Sequence, residues 1–144
     1  MEHENSIHLL KECDAGTKMA VSSIDEVLES VNNPRLKQLL TETKAHHEQL
    51  GNEIHSLLNE YGSKEKEPNP MAKGMSWLKT NVKLTMDECE ATVADLIIDG
   101  CNMGVKSLHK YLHQYAAANE TVKDIAHRLI SIEEQLCKEL YAYL

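Results

Sequence analysis

Along most of this 144-residue chain, apolar residues recur in alternating steps of three and four. That is the period of one face of an α-helix. Ile7, Leu10, Val21, Ile24, Leu28 and Val31 mark a first run over about residues 5–31, with Ser6 as its expected N-cap. Asn32, Asn33 and Pro34 stop it, because proline disfavours helix in the residue before it and suits the first position of the next helix. The second run, about 34–61, carries Leu36, Leu40, Leu50, Ile54, Leu57 and Tyr61, and Gly62 suits a left-handed C-cap. The third, about 85–117, opens on a T-x-x-E capping box from Thr85 and Glu88. Met86, Cys89, Val93, Leu96, Gly100, Met103, Leu108, Tyr111 and Tyr115 form its expected face. Gly100 and Gly104 read as points of close helix contact or of a bend. The fourth, about 119–143, is capped by Asn119 or Thr121. Its row of Val122, Ile125, Leu129, Ile132, Leu136, Leu140 and Tyr143 contains no ionisable side chain except the terminal tyrosine.

The link between the first two runs is about two residues, which forces antiparallel neighbours. The charged, proline-bearing stretch 63–70, SKEKEPNP, reads as a crossover, followed by a short amphipathic helix over 71–82 with Met71, Met75, Trp77, Leu78 and Val82. These elements predict one all-α domain over residues 1–144. Its architecture is an antiparallel four-helix bundle of ferritin-like connectivity with a short extra helix in the crossover. That extra piece has no place in a bundle core: either it caps one end of the bundle or it offers an apolar patch to a second copy, and a homodimer or larger assembly with contacts over 71–86 is expected.

Composition narrows the function classes. There is no Phe, and the aromatics are one Trp and five Tyr, so the interior must be built from Leu, Ile, Val, Ala and Met. A net charge of −8 with no Lys/Arg stripe disfavours nucleic acid. No apolar run approaches the ~20 residues of a membrane span. The acidic opening MEHENSIHLL has no signal-peptide pattern, so a cytoplasmic protein is expected, away from membranes. Cys13, Cys89, Cys101 and Cys137 are widely spaced, with no C-x-x-C, and are expected to be reduced. A hairpin between the last two runs makes Cys101 and Cys137 neighbours, as small buried hydrophobes in preference to a redox pair.

Polar residues interrupt the first two apolar rows at matching heights. Asp14 and Thr17 stand in the first, and Thr43, His46 and His47 in the second. The expectation is a buried hydrogen-bond layer that sets register; the alternative is a non-standard metal site with Asp14, His46 and His47 holding iron, manganese or zinc. No partner acid or base is apparent on the third and fourth runs. His109 and His113 share a helix face that the last hairpin sets opposite His127, a looser set for Zn²⁺ or Ni²⁺ whose ordinary explanation is solvated surface histidines. Glu-x-x-His, the signature of a di-iron bundle, does not occur. Nor do G-x-G-x-x-G, G-K-[ST] or G-x-S-x-G, so no catalytic residue is assigned and no cofactor is expected.

Three stretches carry a family resemblance: Cys13-Asp14-Ala15-Gly16-Thr17-Lys18, the run Asn33-Pro34-Arg35-Leu36-Lys37-Gln38-Leu39-Leu40, and Glu88-Cys89-Glu90. Together they resemble a bacterial ferritin-like four-helix-bundle family of unknown function. In that family a Glu follows the Gly of the first run, where this chain has Thr17. His46-x-x-Gln49 and Ile132-x-x-Gln135 stand where a competent bundle would have Glu-x-x-His. The resemblance thus implies the fold, with an incomplete di-metal site. The expected function is that of a non-catalytic structural or stress-related binding protein, the alternative being a metal-binding or iron-oxidising protein.

Overall fold

The computed structural model describes residues 1–63 and 90–144. They form four helices with no strand among the described residues: α1, Glu2–Leu28; α2, Pro34–Glu60; α3, Glu90–Gln114; and α4, Glu120–Leu140, followed by a 3-10 turn, Tyr141–Tyr143. The 27 residues of α1 and of α2 correspond to helices about 40 Å long. The described residues thus form an all-α helical bundle. No described helix is long and apolar enough to cross a membrane. The helix expected over 71–82, the T-x-x-E box, Met86 and Cys89 lie outside the described residues.

The helix ends follow from local chemistry. Asn33 Oδ1 accepts the main-chain N–H groups of Arg35 at 2.9 Å and Leu36 at 3.2 Å, and Pro34 occupies the first turn of α2. The other end of α2 closes with the Gly62 N–H on the Asn59 carbonyl and the Ser63 N–H on the Leu58 carbonyl. This paired arrangement needs a left-handed residue, and Gly62 supplies it at φ +67°. Asn119 caps α4 through the Val122 N–H at 2.9 Å. Ser6 is not a cap. Helix α1 starts at Glu2, and the buried Ser6 hydroxyl instead accepts the Asn119 N–H at 2.9 Å, joining the start of α1 to the start of α4.

Packing runs along sequential pairs, α1 on α2 and α3 on α4, while α1 also meets α3 and α4, and α2 meets α4. Down the first pair, His3 meets the Tyr61 ring, Thr17 lies against Gly51, and Asp25 binds Lys44 at 2.6 Å. Contacts therefore retreat along α2 as they advance along α1.

The buried face of α2 is nearly the row that its periodicity predicts: Leu36, Leu40, Thr43, His47, Leu50, Ile54 and Leu58, the last replacing Leu57. Helices α1 and α4 bury a second row each, because each packs against three others. In α1 it includes Leu9, Cys13 and Val27; in α4 it includes Ala126, Ile130, Glu133 and Cys137. The expected face of α3 is turned. Ala94, Ile97, Ile98 and Cys101 are buried beside Val93 and Leu108, whereas Met103 is 61 % exposed. Gly100 is exposed too, and a Cβ at Gly100 or Gly104 would meet nothing within 4 Å, so neither is a close-contact glycine.

The apolar interior falls into two clusters. One gathers Ile24, Val27, Leu36, Leu40, Ile97, Ile98, Leu136 and Leu140; the other gathers Leu9, Leu10, Leu50, Ile54, Leu58, Ile125 and Leu129. Between them, by position along α1, α2 and α4, lies a polar layer.

Candidate functional site

The layer is built from residues that interrupt apolar rows. Asp14, Thr17, Thr43, His47 and Glu133 are all at most 8 % exposed. A hydroxyl buried in a helix can be satisfied by its own backbone. Accordingly, Thr17 Oγ1 donates to the Asp14 carbonyl at 2.9 Å and Thr43 Oγ1 to the Leu39 carbonyl at 2.8 Å. The Asp14 carboxylate lies 3.2 Å from Lys18 Nζ, one turn on. Both threonine hydroxyls are thus satisfied within their own helices.

His47 reaches across the bundle. Its Nδ1 lies 2.8 Å from the Thr43 carbonyl and its Nε2 lies 2.6 Å from Glu133 Oε1. A carbonyl oxygen only accepts, so Nδ1 carries a proton and donates. Nε2 and Oε1 then share one further proton. The pair is either imidazolium with carboxylate or neutral imidazole with carboxylic acid, and its net charge is zero in both. The short contact is typical of a charge-assisted bond. Burial is the strongest single influence on His47 and pulls its pKa down. The hydrogen bond donated to Glu133, the Glu133 charge and the Thr43 carbonyl together outweigh it, and the net shift is upward. The charged form is therefore favoured.

On α3, Cys101 lies within electrostatic reach of Glu133. Burial foremost, then the Glu133 charge, push the Cys101 thiol strongly upward, which keeps it protonated. Cys13, in the other half of the bundle, is pushed up to about 12, chiefly by burial and then by Glu12 and Asp14. Cys13, Cys101 and Cys137 are free thiols. Cys101 and Cys137 open onto a cavity of about 630 Å³ that is also lined by Asn102, Ser131, Gln135, Lys138 and Tyr141.

The sequence-predicted residues divide clearly. Asp14, Thr17, Thr43 and His47 are buried as expected, but His46 is exposed and Asp14 is engaged by Lys18. His109, His113 and His127 are all on the exposed surface, and His113 Nδ1 bonds the His109 carbonyl of its own helix at 2.8 Å. Among the described residues, no three His, Cys, Asp or Glu side chains are gathered as a metal ion would require. Helical rotation separates His46 from His47 by about 100°, which puts one in solvent and the other in the interior.

The expectation of no partner acid on the later helices is overturned by Glu133. Its signal was present in the spacing Ala126, Ile130, Glu133, Cys137, Leu140, a second helical row with a single carboxylate in the middle.

No known protein family matches the chain, and no curated protein and no solved structure is significantly similar to it.

Proposed function

We propose that the chain is an antiparallel bundle of ferritin-like connectivity whose middle is closed by an ion pair in the place of a di-metal centre. On this proposal it acts by association, as a non-catalytic structural or stress-related binding protein in the cytoplasm, self-assembling as a dimer or larger. The observation that carries it is the His47–Glu133 contact at 2.6 Å. A bundle that binds two metals needs carboxylates from two helices and Glu-x-x-His from the other two, all directed inward and available. This polar layer directs one imidazole and one carboxylate at each other. Both His47 nitrogens are engaged, so no lone pair faces a vacant position.

Metal content decides between this function and metal binding. Protein purified from iron- and manganese-supplemented cells is expected to carry far less than one metal ion per chain, unchanged by His47→Leu. One or more ions per chain, lost in that variant, would replace the proposal with a metal-binding one. Light scattering tests the assembly: a species that stays monomeric at high concentration would remove the association half.

A further inference from the structure

The outermost stripe of α3 carries a charge order that a lone bundle does not use. Asp95, Asp99, Met103, Lys106 and Lys110 are all exposed, Met103 at 61 %. At about 100° per residue the five lie within roughly 80° of one another, on the side opposite the buried Ile97, Cys101 and Leu108. The signs come in blocks: two acids toward the start of the helix, two bases toward its end, and the methionine between them. Within the helix this order is unfavourable. Asp95 and Asp99 stand at i,i+4, as do Lys106 and Lys110, and like charges at that spacing repel. The helix dipole does not account for it, since its influence is confined to the terminal turns and both Asp99 and Lys106 lie well inside Glu90–Gln114. None of the four pairs with an opposite charge among the described residues.

An antiparallel copy resolves the order. Asp95 and Lys110 lie equally far from the point between Asn102 and Met103, and so do Asp99 and Lys106. A second α3 laid antiparallel about that point sets Asp99 against the partner's Lys106 and Asp95 against the partner's Lys110. Twofold symmetry repeats both contacts, giving four ion pairs around two Met103 side chains. A parallel copy would set acid on acid and base on base. The charges of the stripe cancel, which matters for a chain of net charge −8 that repels its own copies elsewhere. From Asp95 to Lys110 the stripe is about 22 Å long, and at a crossing angle of about 20° its ends diverge sideways by only about 4 Å, within the reach of lysine.

We propose that this stripe is the contact through which two copies of the chain associate, as an antiparallel α3–α3 pair on a twofold axis between Asn102 and Met103. The proposal rests on the association reading above and gives it a surface separate from the one expected over 71–86. Met103 supplies the apolar centre, and the four charge pairs fix register and orientation. Two variants of equal net charge test it by charge order alone. Asp95→Lys with Lys106→Glu makes every facing pair like-charged. Asp99→Lys with Lys106→Glu reverses one kind of pair and leaves every facing pair attractive. Both turn the two like-charged i,i+4 spacings into unlike ones, so they affect the helix itself alike, and circular dichroism confirms that each is folded. Sedimentation and light scattering across a concentration series at low salt read the dissociation constant. Wild type is expected to be a dimer that weakens as salt is raised, because exposed pairs are screened. The first variant should weaken it on the order of a hundredfold or more, and the second should stay within about threefold of wild type. A dimer that survives the first variant overturns this contact and leaves association itself standing. Equal loss in both variants overturns the antiparallel register. A wild type that stays monomeric at high concentration overturns contact and association together.

Discussion

The His47–Glu133 contact can be weighed by a double-mutant cycle with leucine at both positions. The two single changes are not equivalent. His47→Leu strands the Glu133 carboxylate in a site that is only 8 % exposed. Breaking a buried pair in that way costs about 3–5 kcal/mol. Glu133→Leu allows the imidazole to become neutral. Nδ1 keeps its proton and its bond to the Thr43 carbonyl at 2.8 Å, and only an unsatisfied Nε2 acceptor remains. That costs about 1–3 kcal/mol. The double variant removes both charges and fills the space with apolar atoms, and is expected within about 1 kcal/mol of wild type or above it. Urea denaturation at neutral pH is the assay. For a denaturant slope of about 2 kcal/mol per M, His47→Leu should lower the midpoint by roughly 1.5–2.5 M. An interaction energy below about 0.5 kcal/mol would refute the account, because the two side chains would then not be coupled. The pH dependence adds a check. His47 has a folded pKa above its ordinary 6.5, so its contribution is complete below about 6.5 and is lost as pH rises through the folded value. Wild-type stability should fall over that window, and the fall should vanish in Glu133→Leu.

Other outcomes follow from the packing. Leu50→Ala and Leu129→Ala, at positions 2 % and 1 % exposed, should each cost about 2–5 kcal/mol in the same assay. Gly100→Ala and Gly104→Ala should each raise stability by up to about 1 kcal/mol, seen as a higher Tm, since an added Cβ meets nothing within 4 Å at either site. A loss at either would mean the glycine serves a contact within the native assembly. Gly62→Ala should lower Tm, by about 1–2 kcal/mol of stability, because φ +67° is costly for any residue with a Cβ.

The all-helical class was written in the chain, because a period near 3.6 interrupted by Asn33-Pro34 and Gly62 leaves the backbone few alternatives. The burial of α2 was legible almost residue by residue, since that helix packs mainly through one row. The polar layer was half legible. Asp14, Thr17, Thr43 and His47 break apolar rows, and a break in a row is visible in one dimension. What satisfies them was not. The Glu133 partner is 86 residues away from His47, on a second row that is buried only because α4 packs against α1, α2 and α3 together. The face of α3 was missed for a related reason. Leu96, Ile97 and Ile98 offer adjacent apolar rows of similar strength, and helix rotation between them is set by the neighbours. Tertiary packing likewise placed Ser6 against Asn119, brought Cys101 to Glu133, and left His46 in solvent while burying His47. A sequence row states which residues share a face; only the packed bundle decides which face turns inward and which charge waits there.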